Sequence, residues 1–307
     1  MHRRDFLVFV ATSTLAACRS TATRNEGRIT AWGGSGHRDG QFRQPRAIGV
    51  MNGEVYVIDK TGRIQVFDEH GTFKRTWSTP AQKNGTPTCV SFSRRDTVLV
   101  PDTHYSRIFE YAPEGKTLEM WGSYGKGPDE FIYPTGIVED DKGFYYISEY
   151  GMGAERIHVF DAQRHYVRQW GTFGEKKGQF NRAMDIVIDD EEALYVVDSA
   201  NHRIQCFGTD GKFRHSIGGL GKEPGKLEFP YDAALAPDGT LVVCEYGNSR
   251  VSRFKLSGEF VAVYGGVGRA PGQFNGPRGI AVDEKGAIYV ADTDNDRIQR
   301  MEVEGMS

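Results

Sequence analysis

The stretch DSANHRIQCF, residues 198–207, packs an acid, a histidine, an arginine and a cysteine into ten positions, as a small catalytic or metal site would. The same phrase, however, returns around the chain: DKTGRIQVF from 59, DTHYSRIFEY at 102–111, EYGMGAERIHVF from 149, EYGNSRVSRF at 245–254 and DTDNDRIQRM at 292–301. Its arginine falls at Arg63, Arg107, Arg156, Arg203, Arg250 and Arg297, in steps of 44, 49, 47, 47 and 47 residues. A fixed period of this size marks a repeat architecture. A second phrase keeps the same beat: WGGSGHRDGQFRQPRAIGV (32–50) recurs at 121–139, 170–188 and 264–282.

Each repeat divides into four short β-rich runs with no helical period. In the fourth copy these are MDIVID (184–189), LYVVD (194–198), RIQCF (203–207) and FRHSI (213–217), joined by turns such as FGTDGKF (207–213). Aspartate and glycine in that turn are hairpin chemistry. Runs such as LYVV are apolar without alternation, so each small sheet should be buried on both faces. Four antiparallel strands per period, stacked face to face, describe an all-β propeller. Innermost runs begin near 46, 88, 135, 184, 231 and 278, which gives six blades. The run RITAW (28–32) precedes any blade and is left to pair with RIQRMEV (297–303), so the N-terminal strand should close the last blade.

The segment GIAVDEKGAIYVADTDNDRIQRM (279–301) resembles the NHL repeat, and the resemblance extends over about residues 27–303. It implies a six-bladed β-propeller of the NHL type. It does not imply one activity, because that scaffold hosts sensors, adhesion modules, RNA binders and lyases.

The first residues, MHRRDFLVFVATSTLAAC, are a different text. The apolar run after the two arginines is too short to span a bilayer and fits an export signal. RRDFL resembles a twin-arginine export signal and LAAC a bacterial lipobox. The resemblance implies a signal peptide over 1–17, a lipidated Cys18 with a polar tether over 18–27, and the propeller over 28–307. The address implied is the bacterial cell envelope, facing periplasm or cell surface and held to the membrane by lipid only.

The chain has 307 residues, with 38 Lys and Arg against 41 Asp and Glu, a net charge of −3. That balance lacks the basic footprint of a nucleic-acid binder. Beyond Cys18, the cysteines Cys89, Cys206 and Cys244 match no zinc spacing and read as buried, reduced thiols.

The period also sorts scaffold from site. A catalytic group is needed once, whereas Asp59, Asp102, Glu149, Asp198, Glu245 and Asp292 accompany the six arginines in every blade. These pairs should brace the connection between second and third strands. Trp32, Trp77, Trp121 and Trp170 all end an outermost run and should pack between blades. His37, His104 and His202 share one face but occupy different repeat positions and do not form a recognisable zinc set. Function should lie where blades differ. After the usual proline stand Arg46, Tyr231 and Arg278, followed in blades four and five by Asp185 and Asp232. Blades three and five share EYG, which adds Tyr150 and Tyr246 on the same face. These seven are the candidate ligand contacts, at the funnel of the central channel. The expectation is a cell-envelope lipoprotein that binds a small ligand, a peptide or an envelope protein there. Its rival is a peptidyl-hydroxyglycine-type lyase or lactone hydrolase using a divalent cation, Ca or Zn, at the two aspartates.

Overall fold

The computed structural model describes residues 28–303, 305 and 306; the leader with RRDFL, LAAC and Cys18 lies outside them. Six four-stranded antiparallel sheets follow one another around a ring. The innermost strands are Pro45–Met51, Ser91–Phe92, Tyr133–Glu139, Ala183–Ile188, Pro230–Leu235 and Gly279–Val282. Neighbouring inner strands touch in order, and that of blade 6 reaches that of blade 1, so the ring is closed around a central channel. The outermost strand of blade 6 is Ile29–Gly33, antiparallel to Arg297–Met301, with Ile29 opposite Met301 and Gly33 opposite Arg297. The first and last described strands thus share one sheet, as the count of runs requires.

Burial follows the apolar text. The second strand of blade 4, Ala193–Asp198, is buried at every position, whereas its outer strand Phe213–Gly218 largely alternates. The cores lie between blades rather than within them: Tyr195, Val197, Ile204 and Cys206 of blade 4 pack on Leu241, Val243 and Phe254 of blade 5. Each such side chain contributes about 1.5–3 kcal/mol on removal from water. The tryptophans join blades too. Trp32 of blade 6 lies against Phe67 of blade 1, with ring centres 6.1 Å apart. A turn of blade 1 rests on the same indole through Gly71 (φ +86°), where a Cβ would meet the ring at 2.5 Å.

Blade 2 is the irregular member. Its inner strand pairs only over Ser91–Phe92. Upstream, residues 86–90 follow the wall outside the ladder, held in part by a 3.1 Å bond between the Thr88 and Thr103 hydroxyls.

The two ends of the ring differ in charge. Inter-blade connections and the links between second and third strands lie at one end, called the mouth face below. Together they carry 12 Lys and Arg and 9 Asp and Glu. The turns at the opposite end, between first and second and between third and outer strands, carry 7 and 15. A net charge near zero conceals this polarity.

Candidate functional site

All six repeated acids meet their arginines. Arg63–Asp59 (2.6 Å), Arg107–Asp102 (3.0 Å), Arg203–Asp198 (2.8 Å), Arg250–Glu245 (2.7 Å) and Arg297–Asp292 (2.7 Å) are direct, as is Arg156–Glu149. The structure adds a third party. Arg203 also donates to the carbonyls of Lys176 and Gln179 in the preceding inter-blade connection, and Asp198 accepts from the Asn181 amide. Each clamp therefore ties a blade to the connection that enters it. Blade 2 is the exception: Asp102 leaves one buried oxygen without a partner, and burial raises its carboxyl to about 6. DSANHRIQCF is scaffold. His202 within it packs on Phe229 and accepts from that residue's amide at 3.0 Å.

The blade-specific residues behave differently. In blades 1, 4 and 5 the pairing of first and second strands slips by one residue between Pro45 and Ala47, Ala183 and Asp185, and Pro230 and Asp232. The extra residues are Arg46, Met184 and Tyr231. A β-bulge of this kind re-aims its side chain, and here it turns Arg46 and Tyr231 toward the channel mouth. The residue just before each bulge proline or alanine is also unusual. Gln44, Arg182 and Phe229 hold φ of 50°, 62° and 45°, where blade 6 uses Gly276. Non-glycine side chains in the left-handed region are strained, and such strain gathers at functional sites.

At the mouth the Arg278 guanidinium lies over Tyr231 (4.9 Å) and Tyr246 (4.8 Å), and Arg182 lies over Tyr150 (5.3 Å). Arg182 and Arg278 both direct a terminal nitrogen at the Tyr231 hydroxyl, each at 3.4 Å. Tyr150 stacks obliquely on Tyr133, which in turn meets His104. Burial, and then the nearby Arg278, push Arg46 below its usual value. The Nε atoms of Arg46 and Arg278 are buried without a hydrogen-bond partner. Of the seven sequence candidates, Arg46, Tyr150, Tyr231, Tyr246 and Arg278 come together here.

Asp185 and Asp232 sit deeper, on the wall of a channel cavity of about 220 Å³ lined by Ile48, Phe92, Val187 and Leu235. They bond to each other. Asp232 accepts from the amides of Ala233 (2.9 Å) and of Ile280 in the next blade (2.8 Å), and Asp185 accepts from Ala233 at 3.4 Å. Cys89 Sγ stands 4.0 Å from Asp185. Burial in this apolar channel raises both carboxyls, and the charge of Asp185 raises Asp232 further. The acids stitch blades 4, 5 and 6 together below the mouth rather than standing beside the arginines. Among the described residues, no three His, Cys, Asp or Glu side chains converge to hold a metal ion. His37, His104 and His202 stay apart, and the residues present do not fit a zinc centre.

Sequence reasoning missed Arg182 and Tyr133. Both stand just before the usual proline or its counterpart (Pro134 and Ala183), a position that varies from blade to blade, and that variability was their only signal.

Fold and site define a class: a six-bladed β-propeller whose non-repeated chemistry is gathered at one end of its channel. Residues 180–207 and 274–301 match the NHL repeat, and the chain is a propeller carrying NHL repeats. It is 28% identical over 180 residues to NHL repeat-containing protein 3 of Mus musculus, covering 53% of this chain and 51% of that one. It is 26% identical over 192 residues to peptidyl-glycine alpha-amidating monooxygenase of Mus musculus, covering 59% and 19%. The chain thus spans about half the length of the first relative and less of the second. A streptogramin B lyase structure superposes with a TM-score of 0.64 at 16% identity, over 90% of this chain and 98% of that one, a likeness of fold.

Proposed function

We propose that this protein is a ligand-binding propeller of the bacterial cell envelope, lipid-anchored at Cys18, that takes its ligand at the channel mouth. One observation carries the binding reading: the side chains that differ between blades meet at one point, while the repeated ones are used up in clamps and packing. Tyr150, Tyr231 and Tyr246 offer apolar area with polar tips there. The strand Ile29–Gly33 runs toward the mouth face, so Ile29 stands at the opposite rim. An anchored propeller would then hold its mouth away from the membrane, open to ligands from solution.

The rival reading, a lyase or hydrolase drawing on a divalent cation at Asp185 and Asp232, is favoured by the partial match to the amidating enzyme. Metal analysis of the purified protein discriminates: stoichiometric Ca or Zn supports the enzyme. The binding reading is tested by a thermal-shift screen of small molecules on the parent and on Tyr231→Ala. The expected result is at least one compound whose stabilisation disappears in the variant. If every stabilising compound acts equally on both, the ligand site lies elsewhere. For the anchor, fatty-acid labelling of the expressed protein should vanish in Cys18→Ala, and labelling that persists excludes it.

A further inference from the structure

Two groups of arginines in this molecule stand in contrast. The six repeated ones are each paired to a carboxylate, and Arg63, Arg203, Arg250 and Arg297 also reach two or more backbone carbonyls of the adjoining connection. Arg46, Arg182 and Arg278 have no ion pair among the described residues, although all three lie at the mouth and two of them bury an unpartnered Nε. Guanidinium groups are seldom left in this state, because their fork of donors is built for an oxyanion.

No nearby acid completes an ion pair with them among the described residues. Asp185 and Asp232 are turned to backbone amides and to each other. Asp294, whose charge acts on Arg46 without forming an ion pair with it, accepts from the Gln44 side chain at 3.0 Å, and Asp296 accepts from the Gln44 amide at 2.7 Å. Glu155 accepts from the amides of Gly151 and Arg182. Three cations are therefore gathered at the mouth, two of them over tyrosine rings, with no ion pair among the described residues. The rings hold the Arg182 and Arg278 guanidinium groups in place by cation–π contact.

Resting on the binding reading above, we propose that the mouth is a receptor for an oxyanion, a carboxylate or phosphate carried on a small organic molecule with an apolar body. The oxyanion bridges the terminal guanidinium nitrogens of Arg46, Arg182 and Arg278, with the Tyr231 hydroxyl as a further donor. The apolar body rests on Tyr150, Tyr246 and the exposed Phe229. Like charges that repel in the free protein become an asset when the anion arrives, so binding should weaken as salt rises.

The test uses protein labelled with ¹⁵N-arginine, whose Nε–H resonances report each guanidinium separately. It is titrated with benzoate, with phenyl phosphate and with benzamide, the uncharged counterpart of benzoate. The expected result is saturable shifts at Arg46 and Arg278 with an anion and at least tenfold weaker effects with benzamide. Stronger response to phenyl phosphate assigns a phosphate ligand, and stronger response to benzoate a carboxylate. Arg46→Met and Arg278→Met should each weaken anion binding at least tenfold, and Arg203→Ala should leave it unchanged. Benzamide binding as well as benzoate would overturn the oxyanion assignment while leaving a ligand site at the mouth. Anion shifts unaffected by either Met substitution, or no shift at all, would overturn it outright. The thermal-shift screen on Tyr231→Ala would still decide separately whether a ligand site exists.

Discussion

Arg203 and Arg278 are the same residue type in opposite circumstances. One is held by a buried carboxylate and two carbonyls, and the other is laid over two tyrosines beside another cation. The first arrangement satisfies the group and locks a blade to its entry loop; the second leaves charge and donors unspent. The difference teaches that, in a repeat protein, the state of a group's partners separates scaffold from site better than the group itself.

Breaking a clamp should have the largest effect. Arg203→Ala takes the paired cation from the fully buried Asp198 and removes one of two bonds at each of two carbonyls of the connection, which should cost about 3–5 kcal/mol. In a domain of this size that lowers Tm by about 2–4 °C for each kcal/mol. Urea melts of the parent, Arg203→Ala, Asp198→Asn and the double variant give the coupling, and additive costs would show the pair to be uncoupled.

Arg107→Ala sharpens the comparison within the clamps. Arg107 reaches Asp102 but no carbonyl of a connection, and Asp102 is already under-partnered. Its loss should cost about 1–2 kcal/mol, less than half the Arg203 effect. Equal melting points for the two variants would mean that the bonds to the connections contribute nothing.

The channel acids should respond with the opposite sign. A carboxyl raised by burial binds its proton more tightly folded than unfolded, so its contribution is full below about pH 4. That contribution is lost as pH rises through the folded value, about 6 for Asp185. Asp185→Asn keeps the shape and offers Asp232 an N–H donor. It should stabilise the protein by about 1–3 kcal/mol at pH 8 and by almost nothing at pH 4. Thermal melts at both pH values check this, and a variant less stable than the parent at pH 8 would show that the carboxylate is needed charged.

The smallest effect belongs to the mouth. Arg46→Met removes one of three like charges and an unpartnered buried donor while keeping the length of the side chain. Stability should be unchanged or higher by less than about 1 kcal/mol. A loss as large as that of Arg203→Ala would make Arg46 a scaffold residue.

Most of the fold was legible because a period states the same instruction six times. The arginine steps gave the blades, and the leftover run RITAW gave the closure. The acid–arginine pairs could be read as braces, but not their bonds to the inter-blade connections, since those partners are carbonyls, which any residue supplies. The candidate site was legible in membership more than in depth. Arg46, Tyr231 and Arg278 stood out at one repeat position, yet the bulges that aim two of them depend on register, which spacing alone does not fix. For the same reason Asp185 and Asp232, only one residue further along, lie on the channel wall and bond across blades. Arg182 was hidden because its left-handed backbone is a property of the fold and not of arginine.

The strand Ile29–Gly33 also sets a clock. It is among the first of the described residues to be synthesised, and its partner Arg297–Met301 is among the last. At roughly 5–20 residues per second of synthesis, the early strand waits on the order of a quarter of a minute to a minute for its neighbour. During that time five blades can stack while the ring stays open, and both the waiting strand and the open end of the stack offer unpaired edges to any passing chain. Completion is then a single event that joins the two ends of the polypeptide, so the vulnerability of this protein to misassembly is concentrated in the interval before its last repeat is made.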